Sequence, residues 1–175
     1  MAWEAKYYVK QLSLAQAGLA PYLMASAIAY DVGVVAFGDL ASRRPRAQGN
    51  EHEPARLLFG IGALLAATGI GALTMASTPA AALAGFLAGA VGRGAVITLC
   101  NTDTIARMPH GAVSAAAGVI ASVQSLGAIV VNPAVGTVVQ RWGYGPALVV
   151  IAAWTIPCTL VWIVWRPPRM HPLVE

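Results

Sequence analysis

The 175-residue sequence is 58% hydrophobic and 10% charged, where a water-soluble domain carries about 25% charged residues, and its mean hydropathy is +0.67. This composition excludes an ordinary soluble domain, and also a disordered chain, because so apolar a sequence has ample surface to bury. The formal net charge of +4 is not a nucleic-acid footprint, since the arginines stand at the ends of apolar segments, where they report topology.

At about 20 apolar residues per bilayer-spanning helix, the length holds five or six spans. They are expected to be helices, because lipid offers the backbone no hydrogen bonds and the long apolar runs lack the alternation of a barrel strand. Residues 1–11 lack an apolar h-region and a small-residue cleavage site, so no secretory signal peptide is expected there; they read as a stub. Residues 12–38 contain one charge, Asp31, and form the first predicted span, with Pro21 either near the helix start or at a kink. A polar loop follows with Arg43, Arg44, Arg46, Glu51, His52 and Glu53. Residues 57–92 carry no charge, which is too long for one span and about right for two. The break falls at Ser77-Thr78-Pro79, giving spans 57–76 and 79–102 in a tight hairpin, the second containing Arg93. A second polar loop holds Asp103, Arg107, Pro109 and His110. Residues 111–140 form the fourth span, with a kink expected at Asn132-Pro133, and a turn rich in helix breakers and interfacial aromatics, Arg141 to Pro146, leads into the last span, 147–165. Residues 12–166 thus make one helical bundle, and 167–175 a tail.

Alternating the five spans collects Arg43, Arg44, Arg46, Arg56, Arg107, Arg166 and Arg169 on one side, against Lys6, Lys10 and Arg141 on the other. Loop bias therefore predicts an inner (plasma) membrane protein with its C-terminus in the cytoplasm. Cys100 and Cys158 lie in apolar stretches without metal-ligand spacing and read as small buried hydrophobes. Gly60-Ile-Gly62, Gly69-Ile-Gly71 and Gly92-Arg-Gly94 are not phosphate loops, since no strand precedes them and no Walker lysine follows. Gly85-x-x-x-Gly89 reads as close helix packing. His52, His110 and His171 are isolated, no HExxH, GxSxG or paired-carboxylate motif occurs, and neither an enzyme nor a cofactor is expected. Trp142, Tyr144, Trp162 and Trp165 read as interfacial anchors.

Several segments are similar to a known family. Trp3-Glu4-Ala5-Lys6-Tyr7-Tyr8 resembles a WxPxYL motif that ends a seventh helix, Ser13-Leu14-Ala15-Gln16-Ala17-Gly18 an SLAQxG motif that opens an eighth, and Asp31-Val32-Gly33 with Gly38-Asp39-Leu40-Ala41-Ser42-Arg43 the DxG and GGxLSDR pattern that closes it. Residues 118–127, Asn132-Pro133, Gly136 and Gly143-Tyr144 resemble the eleventh helix and the turn before the twelfth. These segments resemble the C-terminal part of major facilitator superfamily transporters, most nearly the anion:cation symporter family of hexuronate, glucarate and phthalate carriers. Ala5 and Ser42 depart from it, standing where the family has proline and aspartate. The resemblance, over residues 3–166, implies an all-α integral membrane fold: five transmembrane helices corresponding to helices 8–12, after the end of a preceding helix. It implies the C-terminal portion of a proton-coupled secondary transporter for a sugar acid or aromatic carboxylate. Such a chain is incomplete alone and needs an N-terminal half or a second copy. The alternative reading is a non-transporting membrane assembly or regulatory subunit.

Asp31 and Arg93 are the two charges inside predicted spans. Counted from the cytoplasmic ends they lie about 10 and 14 Å deep, so pairing between them is allowed. Each costs on the order of 2.5–3.5 kcal/mol at a helix centre and should face protein or water. Arg93 is the candidate anion-binding residue and Asp31 the candidate gate or proton relay. Gln124 and Ser125 lie in the span that, by resemblance, lines the cavity, and Thr98 and Asn101 share a face of the Arg93 span; all four are candidate substrate contacts. Asp103 is a candidate partner of Arg43 or Arg44 in a cytoplasmic latch, as the resemblance implies. The expected partners are membrane lipids, a small organic anion and a proton, with no nucleic acid.

Overall fold

The computed structural model describes residues 2–43, 55–107 and 110–164, and these are helical with no strand among them. Six α-helices follow one another: α1 (Ala2–Gln11), α2 (Ala20–Ser42), α3 (Arg56–Ala72), α4 (Pro79–Arg107), α5 (Val113–Trp142) and α6 (Tyr144–Val164). Five segments are long and apolar enough to cross a membrane, Gln16–Ser42, Arg56–Met75, Pro79–Ala106, Val113–Trp142 and Tyr144–Val164, in the number and order that the apolar runs predict.

The helix ends move where local chemistry decides them. Residues 12–19 do not open α2. Ser13 takes a positive φ of 54° and Gln16–Gly18 form a 3-10 turn, so α2 starts at Ala20 with Pro21 in its first turn, where the missing N–H costs nothing. At its other end α2 absorbs Asp39, whose carboxylate pairs with Arg43 one turn later at 2.8 Å. The α3–α4 break falls where expected: a 3-10 turn, Leu73–Met75, ends the first arm, and the Thr78 hydroxyl accepts from the Ala81 N–H at 3.2 Å to cap the second. α4 then continues to Arg107, so Asp103 is a helix residue and not a loop residue. The expected six-residue turn before the last span shrinks to Gly143, whose φ of 81° suits glycine. Arg44, Arg46, Glu51, His52, Glu53, Pro109, Trp165, Arg166, Arg169, His171 and the tail lie outside the described residues.

Small residues govern how these helices pack. Ala63, Ala66, Ala67, Ala82, Ala90 and Ala95 are buried, while Val35, Leu57, Val130 and Val164 are exposed. That is the reverse of a water-soluble core and the arrangement expected of helices that gain little from hiding leucine but much from close approach. α4 is central, with α3 on one side and α2 on the other. At the α3–α4 seam glycines set the spacing: a Cβ on Gly85 would stand 2.9 Å from the Gly69 carbonyl, and one on Gly69 would collide with the Gly89 backbone. Gly33 and Gly94 bring α2 equally close to α4 through Val91 and Tyr30. α6 packs on α3. α5 leans on α6 and buries none of its residues.

The stub is part of this packing. Tyr7 and Tyr8 of α1 form a core cluster with Leu73 and Ala82. The Tyr7 hydroxyl donates to the Leu73 carbonyl at 2.8 Å, and its ring meets Phe86 and Tyr144 edge-on, with centroids 5.6 and 5.4 Å apart. A second cluster, Phe37, Phe59, Ala95 and Leu99, closes the other end of the α2–α3–α4 group.

Candidate functional site

Glu4, Tyr8, Ser26, Tyr30 and Arg93 gather where α1, α2 and α4 meet. On α2, Ser26, Gly33 and Phe37 are buried and Tyr30, one turn after Ser26, shares their face by helical spacing. Ser26 and Tyr30 lie roughly 9 and 15 Å along α2 from Ala20, which places them mid-helix. Gly94 of α4 lies against the Tyr30 backbone. This close approach sets the neighbouring Arg93 guanidinium over the Tyr30 ring, 5.6 Å from its centroid, a cation–π contact.

Glu4 completes the cluster from α1. It is 6% exposed and its Oε1 accepts a hydrogen bond from the Ser26 hydroxyl at 2.5 Å. The Arg93 charge is near enough to act on it. One turn further along α1, Tyr8 is 0% exposed, and its hydroxyl has no hydrogen-bond partner among the described residues. Its ring is held by Tyr22 and Phe86, with centroids 5.0 and 5.3 Å away. Glu4 also lines a cavity of about 50 Å³ together with Trp3, Phe86, Val135, Val139 and Ala147. The Trp3 indole N–H donates to Asn132 Oδ1 at 3.3 Å, and Trp3 packs on Gly136, so the Asn-Pro segment of α5 is tied to α1.

The residues predicted from sequence are distributed as follows. Arg93 belongs to this cluster and is exposed. Asp31 is exposed on the flank of α2 and forms no ion pair with Arg93; the ion pair among the described residues is Arg43–Asp39. Thr98 is half-buried and packs its methyl against Gly38, 3.3 Å from where a Cβ would stand, so it serves the α2–α4 contact. Asn101 is half-buried on the same helix. Gln124 and Ser125 are exposed on α5, and the Ser125 hydroxyl donates to the Ala121 carbonyl of its own helix at 2.9 Å. Asp103 is buried and accepts from the Trp162 indole at 2.9 Å. Trp162 is therefore an internal contact between α4 and α6, not the interfacial anchor expected. Arg43 spends its guanidinium on Asp39, and Arg44 lies outside the described residues.

Glu4 and Tyr8 were missed by reading residues 1–11 as a stub. Their four-residue spacing places them on one helical face, but nothing in the sequence says that this face is covered by α2 and α4.

Among the described residues this is an all-helical protein with five helices long and apolar enough to cross a membrane and a polar cluster set between three helices. Compared with known proteins, the chain matches no family model, no curated protein and no solved structure.

Proposed function

We propose that this chain is one helix bundle of a secondary transporter, the C-terminal portion of a carrier resembling the anion:cation symporters of the major facilitator superfamily. It lies in the plasma membrane with its C-terminus in the cytoplasm, moves a small organic anion together with protons, and works against a second bundle by rocking about a midplane site. The observation that carries the reading is Arg93, a guanidinium midway along an apolar helix, held over Tyr30 on an exposed side of the bundle. A charge at that depth costs on the order of 2.5–3.5 kcal/mol against lipid, so the surface around it belongs to a wet cavity or a partner bundle. A fixed planar donor fork in such a cavity recognises carboxylate.

The test is uptake of glucarate, galacturonate and phthalate into proteoliposomes carrying the full protein. Arg93→Ala should abolish uptake of whichever anion is carried while leaving insertion intact, and Arg93→Lys should keep part of it. Uptake by Arg93→Ala at the unmodified rate overturns the anion site. One observation favours the second reading, a non-transporting assembly or regulatory subunit: α5 has the length of a span and buries nothing. Absence of pH-driven anion uptake, with stoichiometric copurification of another membrane protein, selects it.

A further inference from the structure

We propose that Glu4, held by Ser26 and flanked by Arg93 and Tyr8, is the proton-exchanging carboxyl of this bundle. The proposal rests on the transport reading for its purpose, but the proton exchange itself stands on geometry. Glu4 is 94% buried by its 6% exposure, and no cation is in ion-pair contact with it among the described residues. An unpaired buried carboxylate is costly, and such groups relieve the cost by taking up a proton. Three features oppose complete neutralisation: the Ser26 O–H donates to the carboxylate, and the charges of the amino group that opens this chain and of Arg93 act on it. Glu4 is thereby poised between its two forms.

The serine makes both forms tenable. A hydroxyl both donates and accepts. With Glu4 ionised, Ser26 donates to Oε1; with Glu4 protonated, the carboxyl O–H can donate to the Ser26 oxygen after the hydroxyl rotates. In both states the Glu4–Ser26 hydrogen bond is kept. The Tyr8 hydroxyl, one turn further along α1, is buried without a hydrogen-bond partner among the described residues. In the proposed step one proton passes from water to the Glu4 carboxylate, giving the neutral acid, and returns to water when the site next opens; no other bond changes. The anion enters through Arg93. Once a carboxylate binds that guanidinium, its positive charge no longer favours ionised Glu4, so anion binding and proton uptake reinforce one another.

The charged and titratable groups around Glu4 are Arg93 on α4, Tyr22 on α2, Tyr144 on α6, Lys6, Tyr7 and Tyr8 on its own helix, and the amino group that opens this chain. The test is an infrared pH titration of the full protein in phosphatidylethanolamine–phosphatidylglycerol vesicles, following the protonated-carboxyl band. A band should titrate above the ordinary carboxylate range, because burial raises the Glu4 carboxyl, vanish in Glu4→Gln and persist in Asp39→Asn. Ser26→Ala and Arg93→Gln each remove stabilisation of the ionised form, so each should move the midpoint upward by about one pH unit, a tenfold change in proton affinity, and Ser26→Thr should restore it. A band unchanged in Glu4→Gln, or a midpoint indifferent to both neighbours, overturns the proposal and leaves anion transport standing. Titration as expected, with no uptake of any of the three anions, upholds proton exchange at Glu4 and removes the transport reading.

Discussion

Asp103 and Trp162 show how far a side chain's role depends on what it meets. Their sequence positions suggested a carboxylate in a cytoplasmic loop and an indole at the membrane surface. Instead α4 runs past Asp103, and the indole N–H of α6 donates to its carboxylate inside the bundle. A buried carboxylate deprived of a donor loses about 1–3 kcal/mol. Trp162→Phe should therefore lower thermal stability in detergent by about that amount. Asp103→Asn, whose amide oxygen still accepts from the indole, should cost less. Equal melting curves for the parent and Trp162→Phe would show that this bond contributes nothing to stability.

Between helices the controlling variable is how closely two backbones approach. A Cβ on Gly92 would strike the Ala66 backbone and stand 2.6 Å from the Gly62 carbonyl, neither of which can yield as a flexible side chain would. Gly60, on the neighbouring helix, has nothing within 4 Å of the same position. Gly92→Leu should prise α3 from α4 and lose most of the monodisperse peak on size-exclusion chromatography in detergent, a cost on the order of 1–3 kcal/mol or more. Gly60→Leu should be neutral or stabilising by up to about 1 kcal/mol through helix propensity alone. Matching elution profiles for the two variants would mean that the seam is looser than the glycine contacts imply. α1 belongs to the same account: it joins the core through Tyr7, Tyr8 and the ring contacts around Phe86.

For the molecule as a whole, the many buried alanines and the exposed large apolar residues are compatible with embedding in a membrane. The expressed chain should stay with the membrane pellet through alkaline carbonate extraction. Under the proposed topology, which assigns the arginine-rich segments to the cytoplasmic side, a C-terminal fusion reporter should be active there. Release into the carbonate supernatant would overturn membrane residence, and a reporter active only outside would reverse the topology. The exposed flank carrying Asp31 and Arg93 and the unburied length of α5 remain for a cavity or a partner bundle to cover under the proposed function.

The number and order of the long helices were legible from residues alone, because the scarcity of charge over about 20 positions is a local property that hydrocarbon thickness converts directly into a span. Thr78-Pro79 was legible for the same reason, since a cap and a proline act on their own turn. Facing was not legible: with alanine and glycine all round most helices the hydrophobic stripe is weak, so Thr98 against Gly38, Trp162 on Asp103 and Glu4 beneath Ser26 could emerge only once the helices were packed. The polar cluster depends on the Tyr30–Gly94 approach of α2 to α4 and on α1 folding back over both. Such meetings are properties of interfaces between distant segments, and no window of sequence contains both sides of an interface.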